Sequence, residues 1–316
     1  MPTTTFKIFR FQPDAPRPEP YYQDFVLEHE PQMTLLDAIL DLQNEQDGSL
    51  AIRYSCRSSI CGSCACMADG RTVLACMQQV EELKARTGDD VVQVDPMGNF
   101  APIKDLVVDL DPFWEKFRSV KPFLIPDGPA PEKERIVPTE AMQRLYKESR
   151  CILCAACYSE CNSLAADAEF VGPAAFAWGY RFAADIRDGE RKERAKLYSG
   201  KHGIWDCTRC MYCNERCPKG VDPRDAIEKL GGVAFQEGVQ HDKGARHAKA
   251  FLISMRTGGK LNETLLVPFT DPIGAPLDAP FALKMLRKGK APSPLPHKIK
   301  QHDEVKRLIK NVKETI

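Results

Sequence analysis

The chain has 316 residues, 28% charged and 43% hydrophobic, and its 44 basic residues are balanced by 44 acidic ones. That length holds two ordinary domains with cores of their own, and zero formal charge gives no electrostatic case for nucleic-acid binding. The N-terminal MPTTTFKIFRFQ lacks a basic region followed by an apolar run, so no signal peptide is expected. No stretch approaches the ~18 apolar residues of a membrane span. Thirteen cysteines point to metal rather than disulfides, because disulfide scaffolds are usually short and secreted and twelve of the thirteen fall into three tight groups. The composition predicts a soluble intracellular protein whose cysteines stay reduced.

Residues 5–11, TFKIFRF, alternate as a strand, and YYQDFVLE at 21–28 is its expected partner across a Pro-rich loop. TLLDAILDLQNE at 34–45 has helical spacing, with Thr34 as N-cap and Asp37 three residues on. SLAIRYS at 49–55 is read as a strand, CACMADGRTVLAC at 64–76 as a hairpin turning at Asp69-Gly70, and VVQVD at 91–95 as the closing strand. Strands around one helix predict a β-grasp domain over 1–105. Prolines break the pattern through DPFWEKFRSVKPFLIPDGPAPEKE, and 106–138 is read as a linker. From Thr139 the pattern turns helical: TEAMQRLYKES leads into one cysteine run, and Asp222-Pro223 starts a helix after the next. GPAAFAWGYRFAADI between them is read as a buried helix rather than a cofactor pocket, and RDGERKERAK as a solvated face.

Three cysteine groups carry the chemistry. Cys56, Cys61 and Cys64 give C-x₄-C-x₂-C, with Cys76 beyond them in the hairpin, which is the plant-type spacing for a 2Fe–2S cluster. Gly62 lets that loop wrap closely, and loop N–H groups can hydrogen-bond the sulfurs. Zinc more usually takes two C-x₂₋₄-C knuckles. Cys66 could compete as a ligand, but a buried free thiol is the commoner fate. C-x₂-C-x₂-C-x₃-C then occurs twice, at Cys151, Cys154, Cys157, Cys161 and at Cys207, Cys210, Cys213, Cys217. In two-cluster ferredoxins the fourth cysteine of a run reaches the other cluster. The expected sets are therefore Cys151, Cys154, Cys157 and Cys217 for one 4Fe–4S cluster, and Cys161, Cys207 and Cys213 with Cys210 as available fourth ligand for the terminal one. Pro218 follows Cys217 as in ferredoxins, whereas Asn162 follows Cys161. With no G-x-G-x-x-G, P-loop or nucleophile elbow, and with His29, His202, His241, His247, His297 and His302 scattered, no substrate-converting site is expected. Electrons must enter and leave through other polypeptides; a free ferredoxin-like carrier and a structural zinc protein are the competing readings.

These residues resemble the iron–sulfur subunit of succinate dehydrogenase and fumarate reductase (complex II) over about residues 5 to 240, through the cysteine-rich loop, PIKDLVVDLDPFWEKFRSVKPFLI, SRCILCAACYSEC, FVGPAAFAWGYRFAADIRD and CPKGVDP. The resemblance implies an α+β fold: a plant-type ferredoxin domain (1–105), the linker, a helical two-cluster ferredoxin domain (139–245) and a basic helical extension for partner docking (246–316). It implies a flavoprotein partner carrying FAD, electron transfer through the 2Fe–2S and 4Fe–4S clusters to a terminal cluster near quinone, and a peripheral place on the cytoplasmic side of the cell membrane through partner subunits. The wire is reversible, so fumarate reduction is an alternative direction. Two departures stand out. In most of the family the position matching Cys210 does not ligate and the terminal cluster is 3Fe–4S; with Cys210 present, 4Fe–4S is expected, and 3Fe–4S if Cys210 is not a ligand. The usual quinone-pocket residues after Cys161 read NSLAA here, which retains Ser163, and Thr208 stands where a histidine is frequent. Ser163 and Thr208 mark the expected quinone vicinity.

HAKAFLISMRTGGKLNE and ALKMLRKGKAPSPLPHKIK in the tail resemble small subunits of heterodisulfide-reductase-like proteins, which implies a membrane-associated, cysteine-rich anchor subunit. From Lys284 onward ten Lys or Arg face three Asp or Glu. A solvated tail is the first reading of that excess, a docking surface for an acidic partner the second, and a membrane surface the third, because no amphipathic helix with aromatic anchors stands out.

Overall fold

The first strand forms where polar and apolar residues alternate: Thr4, Phe6, Ile8 and Arg10 of β1 (Thr3–Arg10) are buried, while Thr3 and Lys7 face out. β1 pairs antiparallel with β2 (Tyr21–Glu28), from Thr3 opposite Glu28 to Arg10 opposite Tyr21, and parallel with β5 (Val91–Asp95). β3 (Ala65–Ala68) lies antiparallel to both β4 (Arg71–Leu74) and β5. The mixed sheet has the order β2-β1-β5-β3-β4. The expected hairpin is present, with Asp69 at φ 48° and Gly70 at φ 71°, the two positive-φ positions a type I′ turn requires. Helix α1 (Leu35–Glu45) starts as expected: the Asp37 N–H donates to Thr34 Oγ1 at 3.2 Å and the Thr34 hydroxyl donates to the Asp37 carboxylate at 2.6 Å. It buries Leu35, Leu36, Ile39 and Leu42.

This is a computed structural model, and it describes residues 1–274, 276, 279–291 and 298–315. His297 and the Pro-rich part of the tail at 292–297 lie outside the described residues. Among the described residues no helix is long and apolar enough to cross a membrane.

The expected strand at 49–55 does not form. Its backbone bonds elsewhere: the Ala51 N–H donates to Asp105 Oδ2 at 2.9 Å, and the Ala51 carbonyl accepts from the Leu106 N–H at 3.2 Å. Asp105 also meets the guanidinium of Arg10, which is 1% exposed, at 3.0 Å, while Arg10 reaches Asp47, Gln23 and Ser49 at 2.6 to 2.7 Å. A fully buried arginine is satisfied on every side, and it pins the 47–51 stretch to the sheet. A second helix, α2 (Val80–Thr87), joins the domain, ending on Gly88 at φ 75°. The stretch read as a linker contains order as well: α3 (Asp111–Ser119) buries Phe113 after a short hairpin of β6 (Pro102–Lys104) and β7 (Val107–Val108).

The rest is helical. The short α4 (Thr139–Gln143), α5 (Tyr146–Ser149), α6 (Ala156–Ser159) and α7 (Asn162–Ala166) precede the buried α8 (Pro173–Ala183) and α9 (Arg191–Ser199). Beyond lie α10 (Tyr212–Glu215), α11 (Pro223–Gln236), α12 (Lys243–Gly258), α13 (Glu263–Thr270), α14 (Ala279–Arg287) and α15 (His302–Thr315). The chain divides into two compact units, Met1–Arg194 with Cys207–Lys229, and Ala195–Asp206 with Leu230–Ile316. Every cysteine belongs to the first. In the second, Trp205 packs edge-on to Phe235 and donates to Ser199 Oγ at 2.6 Å, and Ser199 donates to Asp242, the N-cap of α12.

Candidate metal centres

The loop from Cys56 to Cys64 is neither helix nor strand. Arg57 and Ser59 at φ 53° and Gly62 at φ 74° curl it, turning successive N–H groups inward. Ser58, Ile60 and Cys61 donate to Cys56 Sγ at 3.4, 3.3 and 3.2 Å. Cys56 and Ser63 donate to Cys61 Sγ at 3.5 Å, Ser59 to Cys76 Sγ at 3.3 Å, and Cys76 to Cys64 Sγ at 3.5 Å. All four expected ligands are thus brought together under N–H groups that stabilise thiolate charge. Hydrogen bonds from Ser63 and from backbone N–H groups bring Cys61 down to about 6, whereas burial pushes Cys64 up to about 12. Cys66 is fully buried on β3, and its thiol is pushed up by that burial. Among the described residues no loop N–H is directed at its sulfur.

The two later runs share one local geometry. Leu153 and Ala155 take φ 55° and 62°, two and four residues after Cys151; Arg209 and Met211 take φ 58° and 72° at the same offsets from Cys207. None is glycine, so each run holds two left-handed residues that cost energy unless the surroundings enforce them. Each then closes with a four-residue helix, α6 or α10.

Cys151, Cys154, Cys157 and Cys217 line one small cavity, together with Ala174 and Pro218. Cys161, Cys207, Cys210 and Cys213 line another, together with Ser163 and Thr208. The last cysteine of each run therefore stands with the other run, and Cys210 shares its cavity with the three thiols expected beside it. Ser163 is buried, and its oxygen accepts the Thr208 N–H at 3.0 Å, tying the two walls of that cavity together.

The donor chemistry suits iron–sulfur clusters. Among the described residues no carboxylate or imidazole lines either cavity, and all-thiolate sets select soft centres. Burial pushes Cys154 up to about 11 and Cys213 up to about 12, so metal must displace protons to hold these sulfurs as thiolates. The buried Trp178 indole N–H on α8 has no hydrogen-bond partner among the described residues, and burial raises the Cys151 thiol. Helix α8 is thus buried, as expected, but it also supplies Ala174 to the first cavity and Pro173 to the second. The sequence held no marker for that role.

The donor sets are also clamped to one another. Thr72 Oγ1 donates to Ser159 Oγ at 2.7 Å, and the Gly98 N–H donates to the same oxygen at 2.9 Å. The Asn99 amide donates to the carbonyls of Tyr158, Ser159 and Cys161 at 2.8 to 3.2 Å. Arg216 after α10 pairs with Glu160 after α6 at 2.9 Å. Gly62 touches the second set directly, for a Cβ there would lie 2.5 Å from Cys154 Cβ.

Comparison with known proteins gives the domain types and the family. Residues 5–115 match the family described as a 2Fe-2S iron-sulfur cluster binding domain, and residues 147–221 match the 4Fe-4S dicluster domain. The chain is 37% identical to the succinate dehydrogenase iron-sulfur subunit of Coxiella burnetii over 74% of its own length and 97% of that protein. It is 35% identical to the fumarate reductase iron-sulfur subunit of Haemophilus influenzae, over 72% and 91% of the two chains. It is 34% identical to the 8-methylmenaquinol:fumarate reductase iron-sulfur subunit of Wolinella succinogenes, over 87% and 88%. Among solved structures, a chain of the Mycobacterium smegmatis Sdh1 complex in the apo form superposes with a TM-score of 0.65 at 26% identity, covering 74% of this chain and 96% of that one. The chain belongs to the iron–sulfur subunits of succinate dehydrogenase and fumarate reductase, the electron-transfer subunits of the complex II family.

Proposed function

We propose that Cys56, Cys61, Cys64 and Cys76 hold a 2Fe–2S cluster, that Cys151, Cys154, Cys157 and Cys217 hold a 4Fe–4S cluster, and that Cys161, Cys207, Cys210 and Cys213 hold a terminal cluster which is also 4Fe–4S. The observation that carries the last assignment is the placement of Cys210 in one cavity with Cys161, Cys207 and Cys213, at the run position where Cys154 stands in the other. Such clusters, when bound, accept and release single electrons. The protein's own part is to hold thiolates under N–H groups and to keep the donor sets in contact.

The electron donor in this reading is a flavoprotein subunit carrying FAD, and the acceptor is a membrane-associated anchor subunit, cysteine-rich, through which quinone is reached indirectly. The complex would lie on the cytoplasmic side of the cell membrane. The cluster-bearing parts are 1–105 and 139–245, with 106–138 joining them and 246–316 serving partner docking. One comparison reaches the tail. The Wolinella match leaves only about 41 of 316 residues uncovered, fewer than the 71 of the tail, so it runs into the tail, whereas the other two relatives cover 74% and 72% of the chain. Ser163 and Thr208, joined by their own hydrogen bond, line the terminal cavity and mark where an acceptor would approach.

Electron paramagnetic resonance of the anaerobically purified complex tests this. An oxidised sample silent for a 3Fe–4S centre that gains several signals on reduction is expected. Cys210→Ser should produce the oxidised 3Fe–4S signal, or lose the terminal centre, while sparing the other two. A stoichiometric 3Fe–4S signal in the wild type would remove Cys210 from the ligand set.

A further inference from the structure

The second unit carries a surface that the cysteine sites do not explain. Helices α12 and α15 meet at a defined joint. The Ile299 N–H donates to the Gly258 carbonyl at 3.0 Å, and His302, 6% exposed, places Nε2 3.0 Å from the Arg256 carbonyl. Gly259, at φ 77°, makes room for Ile299, whose Cγ1 would lie 2.6 Å from a Cβ there. Around this joint opens a cleft of about 670 Å³ lined by Arg256, Lys298, His302, Lys306 and Lys310 with Thr257 and Ile309. Among the described residues no carboxylate lines it, and none of its four Lys and Arg side chains forms an ion pair. Lys306 and Lys310 stand four apart on α15, a like-charge spacing that destabilises a helix. The carbonyl end of α12 carries only about half an elementary charge, so four cations exceed what it can balance. The excess is suited to an anion that is not part of the described chain.

Apolar surface accompanies the charge. On α14, Phe281 and Leu286 are 65% and 63% exposed, with Leu283 also exposed, among Lys284, Arg287 and Lys288. On α15, Leu308 is exposed, and with Val305 and Ile309 it forms an apolar stripe at helical spacing beside Lys306, Arg307 and Lys310. On α13, Leu265, Val267 and Phe269 are exposed. An aromatic-bearing amphipathic helix, which the sequence did not bring into view, is therefore present in α14.

The kind of cation distinguishes two occupants. Of the ten basic residues from Lys284 onward, eight are lysine and two arginine. Protein–protein interface cores are depleted in lysine and enriched in arginine. Lipid interfaces carry no such bias against lysine, whose stem lies along apolar surface while its ammonium reaches the headgroups. We infer that the C-terminal helices of this chain bind an anionic bilayer surface directly, with the α12–α15 cleft taking a lipid phosphate. This adds a contact of the iron–sulfur chain itself to any attachment through partner subunits.

Vesicle flotation of the full-length, cluster-loaded chain tests it. The chain should float with phosphatidylcholine vesicles that contain phosphatidylglycerol and not with pure phosphatidylcholine, and added salt should release it. Lys306→Gln with Lys310→Gln should weaken that partition about 30-fold, at about fivefold for each cation near an anionic surface. Phe281→Ser with Leu286→Ser should weaken it independently, and both variants should keep the wild-type visible spectrum. Equal flotation on both vesicle types, or equal flotation of wild type and the lysine variant, overturns the inference. So does a chain that ignores vesicles yet is stabilised against heat by inorganic phosphate through Lys306 and Lys310, which would make the cleft a free-phosphate site. Loss of a partner subunit by the lysine variant, with no vesicle binding by wild type, would assign the surface to protein instead.

Discussion

Gly62 has no side chain, and the space a Cβ would take is held by Cys154, whose Cβ and Cα would be 2.5 and 2.9 Å away. The loop carrying one donor set therefore rests on the backbone of the next, an approach that only glycine permits. Gly62→Ala should part the two loops at an overpacking cost of about 1–3 kcal/mol, weakening the magnetic coupling between the reduced centres in resonance spectra. Gly62→Asn should do the same, although asparagine tolerates a left-handed backbone. If asparagine instead behaves as wild type and alanine does not, the φ of 74° is the requirement and the contact is incidental.

At the scale of elements, the β-grasp domain is organised around Arg10. The Arg10–Asp105 pair is 1% and 0% exposed on its two sides, and removing one partner of a buried pair costs about 3–5 kcal/mol. Asp105→Ala should lower the denaturant midpoint of the domain accordingly and loosen the 47–51 stretch. Asp47 is held below the usual carboxylate range by the Ser49 hydroxyl and then by Arg10. Its folded pKa lies below the unfolded value, so its contribution is complete above about pH 4 and is lost as pH falls toward the folded value. Asp47→Asn should flatten the loss of stability between about pH 4 and pH 2, read from urea midpoints. The same network shows where sequence reading falls short. Residues 49–55 have strand-like composition, but their N–H and C=O groups are taken by Asp105 and Leu106, far along the chain, and the ladder is not formed. The Asp69-Gly70 hairpin was legible because a two-residue turn carries its own dihedral requirement.

At the scale of the molecule, each buried donor set is assembled from segments far apart in the chain, with Cys217 beside Cys151, Cys154 and Cys157, and Cys161 beside Cys207, Cys210 and Cys213. The helices that frame them, α6 and α10, have four residues each and no stability of their own. Metal held across such segments acts as a cross-link, so anaerobic iron removal should melt residues 147–221 while the sheet domain, with Phe6, Ile8, Leu35, Ile39 and Val92 in its core, persists. Hydrogen exchange resolved along the chain would separate the two regions; equal protection before and after iron removal would refute the cross-link.

The sequence by itself determined the ligand chemistry, because thiol spacing is a local property and two copies of C-x₂-C-x₂-C-x₃-C leave few ways to place eight sulfurs. It also determined the β-grasp character, through strand alternation, the Thr34 cap and the Asp69-Gly70 turn. Only the tertiary structure decided which surfaces meet: Gly62 on Cys154, Asn99 across three carbonyls, and Asp105 in place of a strand partner. These are contacts between residues tens of positions apart, and no local periodicity encodes them. The basic tail shows both halves. Its charge excess is plain in the sequence, while the cleft that gathers three of its cations beside Arg256 exists only once α12 and α15 have met.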